Sequence, residues 1–297
     1  MKMKIKELHE QFCEEALIIR NLSPATIRWY RFSIGNLMKR SGVEYLEEIN
    51  TEVLRRYLYE GRIERHWTAD TFINYYKGLK SFFTWCVGRE HMESNPLTPI
   101  DKPRLERKLP KRISKQEALK VLEYSFNMKT TYRFERYRNR AVFALMIYAG
   151  LRAKEVLCLK FSEIDLVNDI ISINGGKGGK DRVVPICRAL RNILKEYLVD
   201  RKRLGRECPY FFTSTRGDIP FTYSGLKVVV ARVRAATGVY FSSHRLRHTF
   251  ATLMIESGCE IYALSKMLGH SDIKTTTIYL SASVSHLQEQ ILKHPLN

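Results

Sequence analysis

Between residues 95 and 112 the chain reads Asn95-Pro96-Leu97-Thr98-Pro99-Ile100-Asp101-Lys102-Pro103, then a basic run from Arg104 to Arg112 that holds another proline, Pro110. Proline has no N–H to give a helix or a ladder, and clustered like charge resists collapse. The stretch therefore reads as an extended, exposed linker, and it cuts a chain of 297 residues into two domains. Residues 1–98 make the first, 99–112 the linker and 113–297 the second.

The first domain reads as four helices. Leu8, Phe12, Ala16 and Ile19 share one face of a helix over residues 6–20. Ser23-Pro24 restarts the chain, with serine as cap and proline in the first turn, where its missing N–H costs nothing; Ile27, Tyr30, Ile34, Leu37 and Met38 follow until Gly42. Thr51 is the expected cap of a third helix through Val53, Leu54, Tyr57 and Leu58. Thr68 or Asp70 opens a fourth, whose Phe72, Tyr75, Tyr76, Leu79, Phe82, Phe83 and Cys86 recur at three and four, a core stripe.

In the second domain, Ser114 and Glu117 form a capping box opening one helix, and Tyr137–Tyr148 forms another that stops at Gly150. Ile170–Ile173 and Val183–Ile186 flank the glycine-rich tip Gly175-Gly176-Lys177-Gly178-Gly179-Lys180-Asp181, a β-hairpin. Helices resume over 189–204 and 223–236. The predicted class is mainly α, a small helical domain followed by a mostly helical domain with a small antiparallel sheet.

Charge narrows the partner. Lys and Arg number 50 against 31 Asp and Glu, a formal +19, which selects a polyanion and above all nucleic acid. Apolar runs such as Ala141–Leu151 are far shorter than a bilayer needs, so no membrane partner is expected. The first residues, Met1-Lys2-Met3-Lys4-Ile5-Lys6, lead into Glu7, His9 and Glu10 and do not read as a signal peptide. The six cysteines are scattered, with no pair at metal or redox spacing, which suits reduced thiols in the cytoplasm. His244 and His248 have zinc spacing, but no glutamate lies between them and no cysteine pair is near, so no metal is expected.

Breaking a phosphodiester without metal needs a nucleophile, donors for the equatorial oxygens and an acid for the departing oxygen. The chain offers all three. His244 and Arg247, at i and i+3, project from one helical face and can approach one phosphate, and arginine's planar fork gives it two parallel bonds. Arg152 follows Gly150 at a helix break, Lys177 sits on the hairpin tip, and His270 and Tyr279 occupy turn-like segments beyond Gly258 and Gly269.

The order and spacing of these residues resemble the tyrosine recombinase, or phage integrase, family, and most of all its Xer subgroup. The strings that carry the resemblance are Ala149-Gly150-Leu151-Arg152-Ala153-Lys154-Glu155, Gly176-Lys177-Gly178, His244-Arg245-Leu246-Arg247-His248-Thr249-Phe250-Ala251-Thr252, Leu268-Gly269-His270 and Thr275-Thr276-Thr277-Ile278-Tyr279. All lie in the second domain; the first matches in layout, as a SAM-like helical DNA-binding domain. The resemblance implies that Tyr279 is the nucleophile and joins a 3′ phosphate of DNA, that Arg152 and Arg247 clamp the phosphate, and that His244 and His270 hydrogen-bond it and help manage the tyrosine proton. Lys177, or Lys180 on the same tip, would protonate the leaving 5′ oxygen, and Glu155 would orient Arg152. No cofactor is implied, because the phosphotyrosine conserves the bond energy. The implied partners are double-stranded DNA with an inverted-repeat recombination site, further copies of the chain as a dimer on one site and a tetramer in synapsis, and accessory proteins. Val284, Leu287, Ile291 and Leu292 make an apolar stripe after the tyrosine that packs on its own domain or, as the resemblance implies, docks on a neighbouring protomer. Two other activities suit the same residues: a type IB topoisomerase-like enzyme that relaxes DNA, and a non-catalytic DNA-binding protein of the same fold.

Overall fold

A computed structural model describes residues 2–105, 111–175, 181–270 and 272–279. The chain forms two compact units, Met1–Arg107 and Lys108–Asn297. It is mainly helical, as its periodicity predicts.

The first unit is built from α1 (Ile5–Ile18), α2 (Pro24–Ser41), α3 (Thr51–Ile63) and α4 (Ala69–Gly88). The Ser23 side chain accepts from the Thr26 N–H and Pro24 opens α2, while Gly42 closes it in the left-handed conformation. The stripe of α4 is core, with Phe72, Tyr76, Leu79, Phe82, Phe83 and Cys86 buried and Tyr75 half-buried at its edge, and Phe12 of α1 packs between Tyr30 and Phe82. Thr68 caps α4.

Two local expectations change. Asn50, not Thr51, caps α3: its Oδ1 accepts from the Val53 N–H at 3.0 Å, because amide oxygen serves the cap as well as hydroxyl does. Thr51 instead donates to the Pro96 carbonyl at 3.0 Å. The opening of the proline stretch is also packed, not exposed. Leu97 and Ile100 are buried in the core of the first unit, and Tyr76 Oη donates to the Leu97 carbonyl. Apolar residues between the prolines pull the backbone onto the core, and tyrosine and threonine hydroxyls satisfy carbonyls that proline geometry leaves outside any ladder.

The second unit contains α5 (Lys115–Asn127), α6 (Arg133–Tyr148), α7 (Ala153–Cys158), strands β1 (Ile164–Asp165), β2 (Ile170–Ile173) and β3 (Arg182–Pro185), α8 (Arg188–Arg203), α9 (Tyr223–Thr237), α10 (Ser243–Glu256), α11 (Ile261–Leu268) and the short α12 (Lys274–Thr277). The Ser114–Glu117 capping box opens α5 through reciprocal bonds of 3.1 and 2.7 Å. α6 begins one turn earlier than its periodicity suggests and is buried on every side from Ala141 to Ile147, against α5, α8 and α10. That position explains why its sequence is apolar all round instead of striped.

The sheet is antiparallel with order β1-β2-β3, and Ile173 pairs with Arg182 at the end where the chain passes from β2 to β3. β1 was not foreseen; two residues are too few to show alternation. The glycine-rich tip with Lys177 and Lys180 lies outside the described residues, as does the apolar stripe that follows Tyr279. Alongside the main core, Phe250, Ala251, Ile255, Leu264, Leu268 and Tyr279 form a separate apolar cluster under α10 and α11. This small core positions the site.

Candidate active site

The site starts where α6 stops. Gly150 turns the chain at φ +63°, and a Cβ there would lie 2.3 Å from a ring carbon of Phe250, so only glycine allows this approach of α10. Leu151 is buried as an anchor and Arg152 caps α7. Glu155, in the first turn of α7, accepts from the Arg152 N–H at 2.8 Å and from Arg152 Nη1 at 2.7 Å. One carboxylate therefore holds both the backbone and the side chain of this arginine.

Glu155 has a second cation. Arg182, at the start of β3, gives it a bidentate pair at 2.9 and 2.8 Å, and its Nε donates to the Met267 carbonyl at 2.8 Å. Burial pushes the Glu155 carboxyl upward, but the bonds from Arg182 and Arg152 outweigh it and hold the pKa at about 2. Gly269, at φ +64°, completes the fit: a Cβ there would meet Arg182 Cδ at 2.8 Å. Sequence reasoning missed Arg182. The available signal was alternation in β3, where 182 shares the inward side with buried Val184, an unusual place for an arginine without a partner.

Arg247 is buried on α10, 5% exposed. Its Nη1 donates to the Gly150 carbonyl at 2.7 Å, and its Nη2 donates to the Leu268 carbonyl and lies 3.3 Å from His270 Nε2. Glu155 Oε2 is 3.9 Å away. Burial, with the nearby charge of Arg152, pulls the guanidinium down to about 9, which still leaves it charged at neutral pH. Because arginine only donates, His270 Nε2 accepts, so its Nδ1 carries the proton to Thr276 Oγ1 at 2.8 Å. Burial and the surrounding arginines drop the His270 pKa to about 4 and keep the ring neutral.

Tyr279 is buried, at 2% exposure, in the small apolar cluster. Burial raises its phenol pKa, and the charges of Arg247 and Arg152 pull it back. Its hydroxyl lies 2.7 Å from His248 Nδ1. Beyond its zinc spacing with His244, the sequence gives His248 no partner, and the structure supplies one. Its signal was position: it follows His244 by one turn on the same face of α10. His244 itself is exposed.

Arg152, Arg247, His270 and Tyr279 are thus linked through Glu155, direct bonds and shared burial, while His244 stands at the solvent edge. Lys177 falls outside the described residues. Among the described residues no three His, Cys, Asp or Glu side chains gather as a metal would require, and no helix is long and apolar enough to cross a membrane. What the cluster offers a substrate is concentrated positive charge, delivered by planar donors, beside a phenolic oxygen.

That combination suits chemistry on a phosphodiester. Two family models match the chain: the phage integrase family over residues 111–286, and the phage integrase N-terminal SAM-like domain over residues 8–93. The chain belongs to the phage integrase family and is a tyrosine recombinase. Tyrosine recombinase XerA of Thermococcus onnurineus is 31% identical over 96% of this chain and 94% of its own length. Tyrosine recombinase XerD of Rickettsia bellii is 30% identical over 98% of this chain and 99% of its own length. Among solved structures, the XerH site-specific recombinase bound to difH substrate in a pre-cleavage complex superposes with a TM-score of 0.72, at 25% identity over 97% of this chain and 84% of that one.

Proposed function

We propose that the chain is a site-specific, Xer-like recombinase that cuts and rejoins double-stranded DNA through a 3′-phosphotyrosine at Tyr279. Arg152 and Arg247 clamp the scissile phosphate, and Lys177 protonates the departing 5′ oxygen. His244 and His270 hydrogen-bond the phosphate, His270 by exchanging its Nε2 contact with Arg247 for a phosphate oxygen in the Nε2–H tautomer. The observation that carries this reading is the setting of Arg247, whose donors face Gly150, Leu268 and His270, Leu268 being part of the apolar cluster that buries Tyr279. Charge held in place before the reaction stabilises the extra negative charge of the pentacoordinate phosphorus without reorganisation; removing one such donor costs on the order of 10²-fold in rate or more.

The helical domain over residues 1–98 and the catalytic domain over 113–297, joined by 99–112, both hold DNA, and the +19 charge drives that binding by counterion release. Two protomers bind inverted half-sites of ~11 base pairs, about one helical turn each, and two dimers form the synaptic tetramer that passes through a Holliday junction. The biological task is resolution of DNA dimers or integration and excision of a mobile element, in the cytoplasm. The XerH complex with difH supports the DNA-bound reading by similarity of fold and sequence.

The test is covalent trapping. A duplex carrying the recombination site, nicked just beyond the cleavage point, releases its 5′-hydroxyl fragment and leaves protein on the 3′ end. Tyr279→Phe is expected to abolish the adduct and spare the gel shift; an adduct that persists in Tyr279→Phe overturns the assignment. Relaxation of plasmids that lack any such site would instead favour a topoisomerase.

A further inference from the structure

Three histidines belong to the candidate site, and they are not equivalent. His270 has both ring nitrogens committed, Nε2 to Arg247 and Nδ1 to Thr276 Oγ1. His244 is exposed, whereas the Tyr279 hydroxyl belongs to a residue only 2% exposed. His248 alone among them has a ring nitrogen within hydrogen-bond distance of that hydroxyl, at 2.7 Å with the rings tilted at 52°.

We propose that His248 Nδ1 takes the proton of the Tyr279 hydroxyl as the phenolic oxygen attacks phosphorus. The inference rests on Tyr279 being the nucleophile. In the step, the Tyr279 O–H bond breaks and its proton passes to Nδ1. The Tyr279 O–P bond forms while the P–O5′ bond breaks, and the 5′ oxygen takes a proton from the general acid of the site. In resealing, an incoming 5′ hydroxyl attacks, and the departing phenolic oxygen recovers the proton from His248.

The surroundings make this base conditional on substrate. Burial lowers the His248 pKa, with the charges of His244 and Arg247 adding to it, so the ring is neutral and its lone pair is available. A proton on Nδ1 would place a cation near Arg247 and His244 on α10 and near His270 after α11. Without DNA that state is costly. The scissile phosphate brings a negative charge to the same place, so proton transfer becomes favourable only when the substrate is seated. The hydrogen bond therefore holds the phenol ready without ionising it.

The experiment compares full-length His248→Asn and His248→Ala with the wild type in single-turnover adduct formation on the nicked duplex built from the site that the wild type cuts. Asparagine can keep an acceptor near the position of Nδ1 but cannot take a proton. Adduct formation is expected to fall by roughly 10²- to 10⁴-fold in both variants, with DNA affinity within about twofold of wild type. Replacing Tyr279 with a fluorinated tyrosine of lower phenol pKa in the His248→Asn background is expected to restore most of the loss, because an ionised phenol needs no base. A wild-type or faster rate in His248→Asn would overturn the proposal and mark the contact as a restraint; a loss that fluorination does not restore would overturn it in favour of a packing role. If Tyr279→Phe still forms the adduct, the nucleophile assignment fails first, and the two failures are thereby told apart.

Discussion

Glutamine in place of Glu155 keeps the volume of the side chain and removes its charge, leaving Arg152 and Arg182 without their counterion and Arg247, 3.9 Å away, without its nearest anion. Two routes give the size of the effect. The carboxyl sits at about 2 against an ordinary 4.5, and at about 1.36 kcal/mol per unit this is on the order of 3 kcal/mol of stability for the second unit. Breaking a buried ion pair by removing one partner typically costs about 3–5 kcal/mol. Because the folded pKa is depressed, the stabilisation is fully present above pH 4.5 and disappears as the pH falls towards 2. The gap between wild type and Glu155→Gln should then be about 3 kcal/mol at pH 7 and roughly half of that or less at pH 3. Tryptophan fluorescence will not report it, since Trp29, Trp67 and Trp85 all lie in the first unit. Urea unfolding followed by hydrogen exchange of the α10 amides will. A gap unchanged between pH 7 and pH 3, or smaller than about 1 kcal/mol at pH 7, would refute the ionic account of this carboxylate.

Arg182→Lys keeps the charge but loses the fork and the bond to the Met267 carbonyl, so adduct formation should slow by about 10-fold or more while DNA affinity in a gel shift stays close to wild type. Gly150→Ala puts a methyl against the Phe250 ring at a left-handed backbone position; a loss of about 2 kcal/mol or more in urea unfolding is expected, together with slower adduct formation, because the Gly150 carbonyl holds Arg247.

What could be read from the chain alone divides along a physical line. The stripe of α4, the Ser23-Pro24 and Ser114–Glu117 starts and the β2–β3 pairing depend on neighbours a few residues apart, and they stand where periodicity and capping chemistry put them. The His-x-x-Arg pattern of His244 and Arg247 and the tyrosine were also visible as spacing. Arg182 was not, because its partners are Glu155, 27 residues away, and Met267, 85 residues away, and only tertiary packing brings them together. His248 was visible, but its partner was not. Helical spacing puts it on the face of His244, but only the return of the chain after α11 shows that it meets Tyr279. The proline stretch was misjudged for the opposite reason: composition foretold exposure, and two apolar side chains, Leu97 and Ile100, sufficed to pack its first part.

The most direct test of the central claim is to find which residue carries the DNA. Trapped protein–DNA complex, digested with nuclease and protease and sequenced by mass spectrometry, should yield a 3′-phosphonucleotide on Tyr279 in the peptide that begins after Lys274. The same adduct on any other of the sixteen tyrosines, or on a serine or cysteine, would contradict the account.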